Sequence, residues 1–156
     1  MFLALSLVAI APALAGTLTD SDEGIRNFSR NGRYFIEYRV TLTQIDADPS
    51  DDSFTISDEY FKYLAGGVVY SVGVVSASAD ADVNVTLNDS YGFELFDQDF
   101  TQASLPYWLN GDETQGQWPS IIGTSLTIAT DTDWTTAASG DSIQVVIIVL
   151  QKGDLR

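Results

Sequence analysis

Residues 67–96 read Gly67-Val-Val-Tyr-Ser-Val-Gly-Val-Val-Ser-Ala-Ser-Ala-Asp-Ala-Asp-Val-Asn-Val-Thr-Leu-Asn-Asp-Ser-Tyr-Gly-Phe-Glu-Leu-Phe96, and their apolar period decides the fold class. Val68, Tyr70, Val72 and Val74 recur every second residue, which sets their side chains on one face of a pleated strand. Gly73 among them suits a twisted or closely approached backbone. Val83, Val85 and Leu87 then point one way while Asp82, Asn84 and Thr86 point the other, the pattern of a sheet with one wet face. Asn88-Asp89-Ser90 tolerates tight-turn geometry, and Tyr91, Phe93 and Leu95 restart the alternation, so this pair reads as a hairpin. Three consecutive antiparallel strands at the centre of a β-sandwich are the expectation.

Upstream, Tyr34, Ile36, Tyr38, Val40 and Leu42 alternate with Glu37, Arg39 and Thr41, a strand that should flank the core. Asp46 to Asp52 is an acidic loop broken by Pro49. Phe54 and Ile56 make a short strand. Asp58 to Leu64 reads either as a helical turn capped by Ser57 or Asp58 or as another strand. Downstream, Ala103 to Ser120 holds Pro106, Trp108, Gly111, Gly116, Trp118 and Pro119 and reads as one long irregular stretch. Its tryptophans either plug an open end of the sandwich or anchor an interface. Leu126 and Ile128 belong to a further strand. Ile143 to Leu150 is apolar on both faces after Val145 and should be central. The predicted interior comprises Tyr34, Ile36, Tyr38, Val72, Val83, Val85, Phe93, Ile143 and Val145, in an all-β antiparallel sandwich, jelly-roll or immunoglobulin-like, of about eight strands.

The first 32 residues read as an arm ahead of a single sandwich domain over 33–152. Phe2 to Ala11 is apolar and is followed by Ala13-Leu14-Ala15, which resembles a secretory signal over 1–15; no Lys or Arg precedes the run, as such a signal requires. The other reading is an uncleaved apolar arm that packs on a neighbouring subunit. The run is too short to span a bilayer. A polar stretch from Thr17 to Gly32 follows.

Composition narrows function sharply. The chain of 156 residues has no Cys and no His. That removes disulfides, thiolate zinc sites, His-dependent triads and the side chain that titrates unaided near neutral pH. No cofactor is expected, and an enzyme is the least favoured class. The net charge of −15 is uneven: between Tyr63 and Gln151 there are eleven acids and no Lys or Arg. Such a surface repels phosphate, so direct nucleic-acid binding is not expected. Arg26, Arg30, Arg33 and Arg39 form a small basic region, which either pairs with the surplus carboxylates or docks on an acidic partner.

Four Asp-x-Asp pairs, Asp46/Asp48, Asp80/Asp82, Asp97/Asp99 and Asp131/Asp133, have spacing that can share calcium. They lack the glycine and distal Glu of a calcium loop and read as solvated surface. Glu94 interrupts an aromatic strand, but alternation sets it on the solvent face opposite Phe93 and Leu95, unlike a glycosidase acid. Asn27-Phe28-Ser29, Asn84-Val85-Thr86 and Asn88-Asp89-Ser90 match the glycosylation pattern, which matters only in a compartment that glycosylates.

The order of segments carries a resemblance. Gly-Gly-Val-Val-Tyr-Ser-Val, then Asp-Val-Asn-Val-Thr-Leu-Asn-Asp-Ser-Tyr-Gly-Phe-Glu-Leu-Phe, a loop with Leu105-Pro106, Gly123-Thr-Ser-Leu-Thr-Ile-Ala and Gly140-Asp-Ser-Ile-Gln-Val-Val-Ile-Ile-Val-Leu resemble the small β-sandwich virion proteins of tailed bacteriophages. The likeness covers roughly residues 34–151 and brings no catalytic residues. It implies a capsid decoration or cement subunit, or a tail-associated one, on the outer surface of the virion. Its partners would be capsid or tail proteins of the same particle and further copies of itself, with no nucleic acid and no membrane span. The expected contact residues are Phe2, Leu5, Arg26, Arg30, Arg33, Trp108 and Trp118, with no metal site. The competing expectation is a secreted or periplasmic binding module that takes a carbohydrate or calcium.

Overall fold

The computed structural model describes residues 18–44, 52–77, 83–100, 107–110, 119–130 and 142–151. In chain order these form β1 (Leu18–Arg30), β2 (Arg33–Gln44), β3 (Asp52–Thr55), α1 (Asp58–Leu64), β4 (Val68–Ala77), β5 (Val83–Asp89), β6 (Glu94–Phe100), β7 (Tyr107–Asn110), β8 (Leu126–Thr130) and β9 (Ser142–Leu150). The strands make a five-stranded sheet, β1-β2-β9-β4-β7, and a four-stranded sheet, β3-β8-β5-β6. The pairings are antiparallel.

The connectivity distinguishes between the two expected sandwich types. β2 pairs with β9, β3 with β8, β4 with β7 and β5 with β6, so the chain from β2 onward is a ribbon of nested antiparallel pairs. Rolling that ribbon brings β9 against β4 and β8 against β5. This is a jelly roll, with β1 added outside β2.

β9 lies between β2 and β4, as its two apolar faces require. Ile143, Val145, Ile147 and Val149 enter the core between the sheets, while Val146 and Leu150 are covered on the other side. They meet Tyr38, Val40 and Leu42 of β2, Val72 and Val74 of β4, Val85 and Leu87 of β5, and Leu126 and Ile128 of β8. Each such fully buried Leu or Ile contributes about 1.5–3 kcal/mol over its exposed state. Ile56, Leu64 and Ile121 close one end. Asp58–Leu64 is helical, the choice left open by sequence: Phe61 and Leu64, three apart, bury on one face, with Asp58 and Glu59 in the first turn.

Of the predicted interior, Ile36, Tyr38, Val72, Val85, Ile143 and Val145 are buried; the Val83 side chain lies outside the described residues. Tyr34 and Phe93 are instead 61% and 63% exposed. Tyr34 is the second residue of β2, at the hairpin end opposite Ser29. Phe93 precedes β6 because the turn is longer than the alternation implies. Asp89 Oδ1 accepts from the backbone N–H groups of Tyr91 and Phe93, both at 2.9 Å, and the register slips between Leu87 and Asn88. The hairpin itself forms as expected.

Asp89 is buried, and its Oδ2 has no partner among the described residues. Asp89→Ala should therefore lower stability by about 2 kcal/mol, since two backbone donors lose their acceptor. Asp89→Asn should lose less than half as much, because it keeps the Oδ1 acceptor of both backbone donors. Thermal denaturation of the two variants checks the order.

Three further expectations change. β4 does not pair with β5; after Ala77 the chain crosses to the other sheet. Within β4, register shifts at Val69/Ser71 and Val74/Ser76 break the alternation, so Val69 faces the core and Tyr70 turns outward. The 103–120 stretch is not irregular throughout, since Tyr107–Asn110 pairs with Ser71–Val74 as β7. Four residues between Pro106 and Gly111 are too few to show a period. Finally, Leu18–Arg30, read as part of an arm, pairs along β2 as a strand of the five-stranded sheet. A polar edge strand lacks the alternation that marks a half-buried one.

Candidate binding groove on the five-stranded sheet

The β1–β2 hairpin builds the site. Asn31 and Gly32 both adopt positive φ, +53° and +74°, as a tight two-residue connection needs. Beyond it, Arg30 pairs with Arg33, Phe28 with Phe35, Arg26 with Glu37 and Gly24 with Arg39. Paired residues share a face. The intervening pairs, Ile25 with Tyr38 and Asn27 with Ile36, take the core side. The four arginines, two phenylalanines and Glu37 therefore stand on the outer face, away from the core.

Phe28 and Phe35 stack with centroids 5.3 Å apart, and Tyr70 meets Phe35 edge-on at 5.0 Å. These rings, with Arg30, Glu37, Ser71 and Ile148, line a groove of about 380 Å³. Asn31 and Arg33 extend it toward the hairpin tip. Arg39 Nη2 lies 3.1 Å from Glu37 Oε1, the one ion pair among the described residues. Among the described residues, pairing with surplus carboxylates thus accounts for Arg39. The exposed guanidinium groups of Arg26, Arg30 and Arg33 keep their charge available to a ligand.

The outer face of the other sheet is acidic. Asp97 and Asp99 lie on β6 opposite Thr86 and Asn84. The Asn84 side-chain amide donates to Asp97 Oδ1 at 2.8 Å and Asp99 Oδ1 at 2.9 Å. One neutral amide thus tethers two like charges where a shared cation was conceivable. Among the described residues no three acidic, His or Cys side chains are placed to hold a metal. Asp46/Asp48, Asp80/Asp82 and Asp131/Asp133 lie outside the described residues. Glu94 is exposed, as expected.

Of the contact residues read from sequence, Arg26, Arg30 and Arg33 come together on this face. Trp108 is a β7 residue paired with Gly73, with its side chain outside the described residues. Phe2, Leu5 and Trp118 lie outside them entirely. Sequence reasoning missed Phe28, Phe35, Tyr70 and Glu37 as groove residues. Asn31-Gly32 was the signal for the hairpin that assembles them. A second aromatic feature is the end closed by α1. Tyr34 and Tyr63 are exposed there, joined by Gln151, whose backbone N–H bonds Tyr34 O and whose side-chain amide bonds Tyr63 O. No helix among the described residues is long and apolar enough to cross a membrane.

Neither a protein-family model nor a curated protein sequence matches the chain. Among solved structures it is similar to CsCBM6-3 from Clostridium stercorarium, determined in complex with cellobiose, at 13% identity over 86% of each chain with a TM-score of 0.27. It is also similar to the arabinose-bound α-L-arabinofuranosidase MgGH51, at 12% identity and a TM-score of 0.28, over 88% of this chain and 23% of that one. TM-scores this low carry no argument about function.

Proposed function

We propose that this protein is a non-catalytic virion subunit of a tailed bacteriophage, a decoration or cement protein that holds neighbouring subunits through the arginine–aromatic groove. One observation supports this reading above the others: in a chain of net charge −15, Arg26, Arg30 and Arg33 are gathered, without ion-pair partners among the described residues, beside Phe28, Phe35 and Tyr70 on one sheet face. Guanidinium groups flanked by rings are a favoured composition for contact surfaces. The exposed Tyr34 and Tyr63 adjoin the same end. An acidic remainder keeps an outer-surface subunit soluble and needs no nucleic acid.

The test is reconstitution. Purified chain should rebind particles from which it has been stripped, and the Arg30→Gln, Arg33→Gln double variant should rebind about tenfold more weakly. Absence of the chain from purified particles overturns the reading.

The second reading, a secreted or periplasmic carbohydrate-binding module, is favoured by the rings beside Arg30, Glu37 and Asn31 in one groove. It requires a monomer trimmed at Ala15 that is retained on an acidic polysaccharide. Phe35 counts against it, being stacked by Phe28 and capped by Tyr70 rather than presenting an open ring face.

A further inference from the structure

The two sheets carry opposite charge on their outer surfaces. On the five-stranded sheet the outward pairs of the β1–β2 hairpin from Gly24/Arg39 to Arg30/Arg33 give four arginines against Glu37, while Asp20, Asp22 and Glu23 lie beyond them at the far end of β1. On the four-stranded sheet Asp97, Asp99 and Glu94 face outward opposite Thr86, Asn84 and Asn88, and β3, β5, β6 and β8 contain no Lys or Arg. We infer that copies of this chain associate head to tail, the arginine groove of one copy seated on the Asp97–Asp99 surface of the next.

The inference takes from the proposed function only that the groove binds protein; what it adds is the partner. Three considerations select a second copy. The complementary charge is present on the same chain, so it arrives at equal concentration. The spacings correspond: Asp97 and Asp99, two apart on one strand, rise about 7 Å, while Arg30 and Arg33 are directly opposite across a hairpin, their Cβ atoms about 5 Å apart, within reach of both carboxylates through their long stems. A groove-to-groove dimer would set arginines against arginines, which the head-to-tail contact avoids. Because the two surfaces lie on the outer faces of different sheets, two copies cannot make both contacts with each other at once, and the contact does not close after two copies. It generates a ring or an open array, as a repeating shell or tail position would use.

Sedimentation velocity of the full chain is the test. The unmodified protein should form species larger than a dimer at low ionic strength and dissociate as salt screens the charges. Arg30→Gln with Arg33→Gln, and separately Asp97→Asn with Asp99→Asn, should each weaken self-association about tenfold. The asparagines still accept from Asn84, so the sheet is kept. An equimolar mixture of the two double variants should form a 1:1 complex that grows no further, since each mixed pair retains a single intact contact. A chain that is monomeric at every salt concentration, or whose association ignores the Asp97 and Asp99 changes, overturns the inference. Should such a chain still need Arg30 and Arg33 to rebind particles, the virion reading stands without it. Should the chain self-associate as described yet be absent from particles, the virion reading falls alone.

Discussion

Replacing Ile147 by alanine should lower the unfolding free energy by about 3–4 kcal/mol, whereas the same change at Ile148 should cost about 1 kcal/mol. The two residues are chain neighbours on the central strand, so propensity and backbone entropy are common to both. They differ in face. Ile147 is fully buried between the sheets, opposite Tyr38 on one side and Val72 on the other. Truncation there leaves a cavity that β2, β4 and β9 cannot close without moving a ladder. Ile148 faces outward opposite Glu37 and Ser71 and lines the groove. Its loss opens a space already in contact with solvent. In a domain whose total stability is about 5–15 kcal/mol, the first change removes a large fraction. Urea denaturation should show a lower midpoint with unchanged slope for Ile147→Ala. Equal effects at the two positions would mean that β9 is not oriented as described.

The pair also shows which features of the chain were legible in its sequence. Where a strand has one wet face, the period of two identifies its core side directly, as at Val85 and Leu87 or Tyr38, Val40 and Leu42. Where both faces are covered, as in β9, a continuous apolar run states centrality but not orientation. Alternation failed where the backbone inserts a residue. The bulges in β4 turned Tyr70 outward, and the Asp89-anchored turn left Phe93 in solvent. Neither event changes composition, so no count of apolar residues anticipates it. β1 escaped for another reason: a polar edge strand is specified by its partner and by the Asn31-Gly32 turn rather than by its own pattern. The groove was half legible. Its arginines stood out against an acidic chain, but nothing in the period of β2 marks Phe35, whose partners Phe28 and Tyr70 come from other strands.

Tyr38 makes stability depend on alkaline pH. Its ring is fully buried and its hydroxyl donates to Glu23 Oε1 at 2.7 Å. Burial, then that hydrogen bond, then the negative charges of Glu23 and Asp20 all disfavour the phenolate and hold its pKa far above the usual value. A folded pKa raised above the unfolded one, near 10, contributes stability that is complete below pH 10 and lost as pH rises beyond it. The slope approaches about 1.4 kcal/mol per pH unit, or about 2–3 kcal/mol by pH 12. Tyr38→Phe removes both the hydrogen bond and the titration. At pH 7 it should be less stable than the unmodified protein by about 1–1.5 kcal/mol. Its stability should then fall less steeply above pH 10, so that the two curves cross at about pH 11. Chemical denaturation at pH 7, 9, 10 and 11 measures this directly. Parallel curves across that range would show that the Tyr38 hydroxyl is solvated, and that the core face of β2 is not closed by the second sheet.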